Sequence, residues 1–213
     1  MLKAVTFDFW GTIVDARHSL RRRRSEILAS CLGGDVEQVL EAYRQAWDYF
    51  SQGIDQGYGL PPQTVLSAAL DVLGETLSPS DYASVRRQWA ELLLTEQPPL
   101  LVGAHEVLRE MRRRGYRVGL ISDTGTTPGR TIRACLQRQG LLTLFDRLTF
   151  SDEMGVTKRR PQAFWSTVRA LGVNVISALH VGDLPDTDIH GARAAGLHTA
   201  LLLESSNRRE AIP

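Results

Sequence analysis

The chain has 213 residues, 43% of them hydrophobic and 23% charged, which is the balance of a folded globular protein and excludes a disordered one. A formal net charge of +1 excludes a surface whose overall field gathers nucleic acid or acidic membrane, and no apolar run reaches the roughly 18–20 residues of a membrane span. The two cysteines, Cys31 and Cys135, make no disulfide framework, and the N-terminus lacks a signal-peptide cleavage pattern, so a cytoplasmic protein is expected, with one large core or a core and a smaller unit.

Residues 4–10 are β-branched and aromatic and end at Gly11-Thr12, which predicts a buried strand closed by a turn, with Asp8 as its one polar intruder. From 17 to 96 the apolar spacing is helical, over 25–32, 36–51, 62–73 and 79–94, with glycines and prolines in the breaks. After Pro98-Pro99 strands and helices alternate. A helix opens at Gly103-Ala104 and ends in three arginines and Gly115, and a strand follows over 116–122. Then come a helix over 130–139, a strand over 147–150, a helix over 161–171, a strand over 178–181, a helix over 188–195 and a strand over 199–203. Such alternation implies right-handed crossovers and an α/β fold, a doubly wound parallel sheet covered on both faces.

In open α/β sheets, ligands bind beyond the carboxyl ends of the strands. Asp8, Ser122 and Asp123, Lys158, and Asp183 and Asp188 all fall at that rim, on four separate loops, with Gly11, Gly125, Gly155 and Gly182 letting backbone amides approach. Clustered carboxylates repel one another, and a hard divalent cation, Mg²⁺ where phosphate oxygens complete its shell, relieves the repulsion. Lys158 and the Ser122 hydroxyl would then receive an anion. Each residue also has a plain alternative: Ser122 as a turn cap, Lys158 as a surface lysine, Asp188 as a helix N-cap.

Asp8-Phe9-Trp10-Gly11-Thr12, Ile121-Ser122-Asp123, Lys158 in the segment 151–161, and Val181-Gly182-Asp183 through Asp188 resemble the four ordered motifs of the haloacid-dehalogenase superfamily. The resemblance spans nearly the whole chain. It implies a core of residues 1–16 and 97–213, and a helical cap of 17–96 that closes over the site. It implies Asp8 as nucleophile, Mg²⁺ held by Asp8, the Trp10 carbonyl, Asp183 and Asp188, and a phosphoryl group held by Ser122, Asp123, Lys158, Gly11 and Thr12. The substrate expected is a small phosphorylated metabolite, with no nucleic-acid or membrane partner, and the protein is expected as a monomer or homodimer.

One position departs from the phosphatase pattern. Phosphatases of that superfamily carry a second Asp two residues after the nucleophile, as general acid and base, and here the residue is Trp10. Asp15 and His18 are the nearest replacements. An aromatic residue there is also what 2-haloacid dehalogenases show, though the Gly-Asp loop at 182–183 serves a metal that they do not need. The phosphonate-cleaving branch needs a cap lysine, and Lys3 and Lys158 are the only lysines. A non-catalytic phosphate- or partner-binding module is the third possibility. The run Arg21–Arg24 reads as a solvated helix face or, for one of its members, as a contact to an anionic substrate. Trp47, Tyr49, Phe50 and Tyr58 read as the lining of a leaving-group pocket or, for most of them and in keeping with helical spacing, as core of the helical segment, and His180 reads as a packed strand residue.

Overall fold

The computed structural model describes residues 1–15 and 20–203. Among them, β1 (Ala4–Phe7), β2 (Arg117–Ser122), β3 (Arg147–Phe150), β4 (Ala178–Gly182) and β5 (His198–Leu201) form one parallel sheet in the order β3-β2-β1-β4-β5. β1 is central: Phe7 lies opposite Leu120 of β2 on one side and Val181 of β4 on the other. From β1 the chain winds outward through β2 to β3, then crosses back to β4 and winds the other way. The crevice between the carboxyl ends of β1 and β4 is therefore the switch point where an open α/β sheet takes its ligand.

The sheet is buried on both faces because its strands alternate. Val118 and Leu120 join an apolar cluster with Phe7, Leu108 and Ile132, while Ile121 joins Ala163, Phe164, Val168 and Ala192 on the opposite side. Helices α5 (Ala104–Arg113) and α6 (Gly129–Arg138) supply the first cluster, and α8 (Pro161–Ala170) and α9 (His190–Ala194) the second. The fold class read from the sequence is the one observed.

Between β1 and β2 stand α1 (Arg21–Leu32), α2 (Val36–Asp55), α3 (Thr64–Leu73) and α4 (Pro79–Thr95). Local chemistry sets their ends. Asp35 accepts hydrogen bonds from the Glu37 and Gln38 amides, Ser78 caps a helix that begins with Pro79, and Gly33 and Gly74 terminate α1 and α3 in the left-handed conformation. These helices bury a cluster of their own around Leu28, Tyr43, Phe50, Leu66 and Trp89. The end of α4 leaves it: Leu92 and Leu93 pack into the sheet-side core with Leu20. No helix among the described residues is long and apolar enough to cross a membrane.

Several boundaries differ from the sequence reading. The helix expected from residue 25 begins at Arg21, so the arginine run is its first turn. The segment expected as one helix over 188–195 is a π-helical turn, Pro185–Ile189, running into α9. A short helix, α7 (Ser151–Met154), stands where only a loop was expected. Gly155, counted among the glycines of the rim, ends α7 at φ +74° with open space around it, so it is a helix stop rather than a site glycine.

Leu120 is completely buried in the strand beside β1. Leu120→Ala should lower the free energy of unfolding by about 2–5 kcal/mol, read as a fall in the urea midpoint at constant slope.

Candidate active site

Asp8 lies one residue past β1, and its N–H donates to the Val181 carbonyl at 2.9 Å, so pairing with β4 continues through it. This fixes the backbone of Asp8 beside the loop that carries Asp183. Carboxylate oxygens of Asp8, Asp183 and Asp188 lie within 4.8 Å of one another, and all three residues are buried. Into the group comes Lys158, from the loop after α7. Its ammonium donates to Asp8 Oδ1 at 2.5 Å and to Asp188 Oδ1 at 2.6 Å. The surface-lysine alternative is thereby excluded.

Each member is held by further contacts. The Asp123 carboxylate accepts the Lys158 backbone N–H at 3.1 Å, which anchors the lysine loop to the end of β2. Asp188 accepts from His180 Nε2 at 3.1 Å and, through Oδ2, from the Leu184 N–H at 3.0 Å. It sits inside the π-helical turn and is not the N-cap of α9. His180 is wholly buried, edge-on to Phe164, with Nδ1 at 2.9 Å from the Thr6 hydroxyl. Burial holds this imidazole below its ordinary pKa. A neutral ring with its proton on Nε2 donates to Asp188 and accepts from Thr6, which satisfies both nitrogens.

Two glycines make room for the carboxylates. Gly11 has φ +77°, and a Cβ there would stand 2.3 Å from Asp183 Oδ2. A Cβ on Gly182 would stand 2.2 Å from Asp188 Cγ. Any side chain at either position would displace a member of the cluster.

The electrostatics follow from three buried carboxylates facing one ammonium. Burial pushes the Asp8 carboxyl well above its usual range, against the pull of Lys158 and with the repulsion of Asp188 and Asp183. Burial and Asp188 push Asp183 up to about 6. Asp188 goes the other way, since Lys158 and His180 outweigh its burial and keep it ionised. Lys158 stays charged, because Asp188, Asp8 and Asp123 overcome its desolvation. Asp183 Oδ1 is buried with no hydrogen-bond partner. A cluster of hard oxygen donors with surplus negative charge and an unsatisfied carboxylate oxygen fits a divalent cation such as Mg²⁺.

The other residues expected at the site are found around this cluster. Ser122 is almost completely buried, and among the described residues its hydroxyl has only the Asp123 carbonyl, at 3.4 Å, as a partner; as a turn cap it would be weak. The Thr12 hydroxyl is buried and unpartnered. Trp10 packs edge-on against Phe9, with ring centroids 4.9 Å apart, and its side chain lines a cavity beside the site. Asp15 donates its backbone N–H to the Pro99 carbonyl, and His18 lies outside the described residues. His180 is the packed strand residue expected, but its bond to Asp188 was not foreseen, although a histidine eight residues before Asp188 in an otherwise apolar strand was the available signal.

The cation fit can be tested without any substrate. Asp183 holds its proton more tightly folded than unfolded, so the stability it contributes is complete below about 4 and is lost as pH rises through about 6. In EDTA, Asp183→Asn should therefore unfold at higher urea than the wild type at pH 7.5, by about 2–3 kcal/mol, and the gap should vanish near pH 4. Added Mg²⁺ should raise the wild-type melting temperature and leave that of the variant nearly unchanged. Equal Mg²⁺ responses in the two proteins would remove Asp183 from any cation site.

A family model described as haloacid dehalogenase-like hydrolase matches residues 2–196 of the chain. Similar proteins include haloacid dehalogenase-like hydrolase domain-containing protein 3 of Bos taurus, 27% identical over 219 residues, covering 94% of this chain and 82% of that protein. Another is the glyceraldehyde 3-phosphate phosphatase of Methanopyrus kandleri, 26% identical over 204 residues, covering 93% and 83% of the two chains. Among solved structures, a 2-haloacid dehalogenase from Pseudomonas syringae pv. tomato DC3000 superposes with a TM-score of 0.70 at 22% identity, over 100% of this chain and 89% of that one.

Proposed function

The chain belongs to the haloacid dehalogenase-like hydrolase family, and from that premise we propose that it hydrolyses a small phosphate monoester in two steps through Asp8. The observation that carries this reading is the buried cluster of Asp8, Asp183, Asp188 and Lys158, whose surplus carboxylate charge suits a cation and whose ammonium suits a phosphoryl oxygen. The relative from Methanopyrus kandleri, named as a phosphatase and similar along most of the chain, supports it. The dehalogenase likeness is one of fold.

In the first step an Asp8 carboxylate oxygen attacks phosphorus, the bond to the leaving-group oxygen breaks, and that oxygen departs with the electron pair and takes up a proton from solvent water. In the second, water attacks the aspartyl-phosphate and releases phosphate and the regenerated carboxylate. Lys158 and the hydroxyls of Ser122 and Thr12 would hold the phosphoryl oxygens, on which charge is spread during transfer. Asp123 keeps Lys158 in reach, and His180 keeps Asp188 beside it. Mg²⁺ would be held by Asp8, the Trp10 carbonyl and Asp183, with Asp188 as a further ligand or a neighbouring charge, and would supply neutralisation of the charge between carboxylate and phosphate.

Trp10 cannot protonate a leaving group, and general acid–base help is typically worth about 10²–10⁴ in rate. Aryl phosphates, whose leaving oxygens need little help, should turn over faster than alkyl phosphates, and Trp10→Asp should raise kcat on an alkyl phosphate about tenfold or more while changing the aryl rate little. The governing experiment is a phosphoester panel with Mg²⁺ and with EDTA, beside Asp8→Asn. Phosphate release that needs Mg²⁺ and falls at least about 10³-fold in the variant is expected. Halide release from 2-haloacids that persists in EDTA would establish the dehalogenase reading in its place, which Trp10 alone favours. Phosphate and Mg²⁺ that raise the melting temperature without turnover above the Asp8→Asn protein would establish a binding module.

A further inference from the structure

The four arginines at the start of α1 do not form one solvated face. Arg22 and Arg23 are exposed and pair with Glu26, Glu37 and Glu96. Arg24 is 4% exposed. One of its terminal nitrogens donates to Thr127 Oγ1 at 3.0 Å, the Tyr43 hydroxyl is its other polar neighbour, and Nε is buried without a partner. Among the described residues no carboxylate pairs with it. A guanidinium keeps its charge on burial, and a buried charge opposed only by neutral hydroxyls is an arrangement a folded chain rarely retains unless something else supplies the counter-charge.

The location of Arg24 indicates what that is. It lines a cavity of about 250 Å³ together with Arg21, Tyr43, Trp47, Trp10 and Asp123. Trp10 is two residues from Asp8 and Asp123 follows Ser122, so the cavity adjoins the nucleophile and the expected phosphoryl site. Asp123 faces the Lys158 amide. Arg21 lies over the rings of Tyr43 and Trp47, 6.0 and 5.9 Å from their centroids, and adds positive charge to the same wall. The cavity is small, electropositive and flanked by aromatic rings.

We infer that Arg24 determines specificity by binding a carboxylate on the leaving group of the substrate, which is then a small phosphate monoester of a hydroxy acid. The description of the ligand as a leaving group rests on the phosphatase reading; the affinity for a second anion beside the phosphate does not. A planar carboxylate matches the guanidinium fork.

The test compares two esters that differ in one group: 2-phosphoglycolate, which carries the carboxylate, and ethyl phosphate, which does not. In the Asp8→Asn protein with Mg²⁺, calorimetry should return a dissociation constant for 2-phosphoglycolate about 10–100-fold below that for ethyl phosphate. Arg24→Met in the same background should collapse that ratio to near one, and Arg24→Lys should restore part of it. In the active protein, Arg24→Met should raise KM for 2-phosphoglycolate far more than it lowers kcat. A wild-type ratio near one overturns the inference whether or not the variants fold. A ratio that survives in Arg24→Met while both affinities fall assigns Arg24 to structure alone and also overturns it. If the wild type hydrolyses neither ester while the calorimetric ratio holds, the phosphatase reading fails and the carboxylate subsite stands.

Discussion

The ion pair of Lys158 with Asp8 and Asp188, buried at the rim of the sheet, is the interaction on which the rest of the structure depends. Carboxylates this close and this far from water are tolerated only when opposite charge and hydrogen bonds meet them. One ammonium meets two of them, at 2.5 and 2.6 Å. The neighbouring residues keep that geometry: Asp123 ties down the lysine backbone, His180 and the Leu184 amide orient Asp188, and Gly11 and Gly182 leave the carboxylates space. Asp183 is the member left under-compensated, with one oxygen unpartnered and its carboxyl pushed up to about 6. The protein alone does not balance this site, and a cation completes it on the proposed reading.

The sheet brings these residues together because its order differs from the order of the chain. Asp8 and Asp183 are far apart in sequence, yet they leave adjacent parallel strands at the same end. The extra hydrogen bond from Asp8 to Val181 carries the pairing to the point where the site begins. A one-residue slip of β1 against β4 would turn Asp8 away from the crevice and Phe7 toward it, so the apolar packing of Phe7 and the polar placement of Asp8 enforce one register.

Much of this was legible in the sequence, for physical reasons that mark its limits. An Asp in the apolar stretch 4–10, and a Gly-Asp after the apolar 178–181, stand out because burial of a carboxylate requires a cause; both are in the cluster. Strand and helix types followed from periodicity and from their glycine and proline ends. The π-helical turn at Pro185–Ile189 was hidden because five residues with a single aliphatic side chain carry no periodicity to read, and its role, to turn Asp188 inward toward Lys158 and His180, is a tertiary one. Arg21–Arg24 was the harder case. Four like residues in a row carry no sign of which is buried; helical rotation leaves Arg22 and Arg23 toward water and sets Arg24 against Tyr43 and Thr127. His180 looked like strand filler because its partners, Thr6 and Asp188, belong to other segments.

The helices between β1 and β2 are joined to the site at a second place besides Arg24. α2 ends at Asp55, and the turn after it closes on the last carbonyls, with the Gly57 N–H on Ile54 and the Tyr58 N–H on Gly53. Thr157 donates its hydroxyl to the Ile54 carbonyl and its amide to the Gly57 carbonyl, Arg160 reaches the Gln56 carbonyl, and Arg159 pairs with Asp55. These partners flank Lys158 on both sides. The helix end and the lysine loop are thus joined by hydrogen bonds, and a displacement of α2 would break them and disturb the backbone that aims the ammonium at Asp8. Arg24 makes the matching link at the start of the helical segment, through Tyr43 of α2 and Thr127 of the loop after Ser122. The wall that would sort leaving groups and the loops that would hold the phosphoryl group are therefore joined by hydrogen bonds at two places, Arg24 to Thr127 and the end of α2 to the residues flanking Lys158.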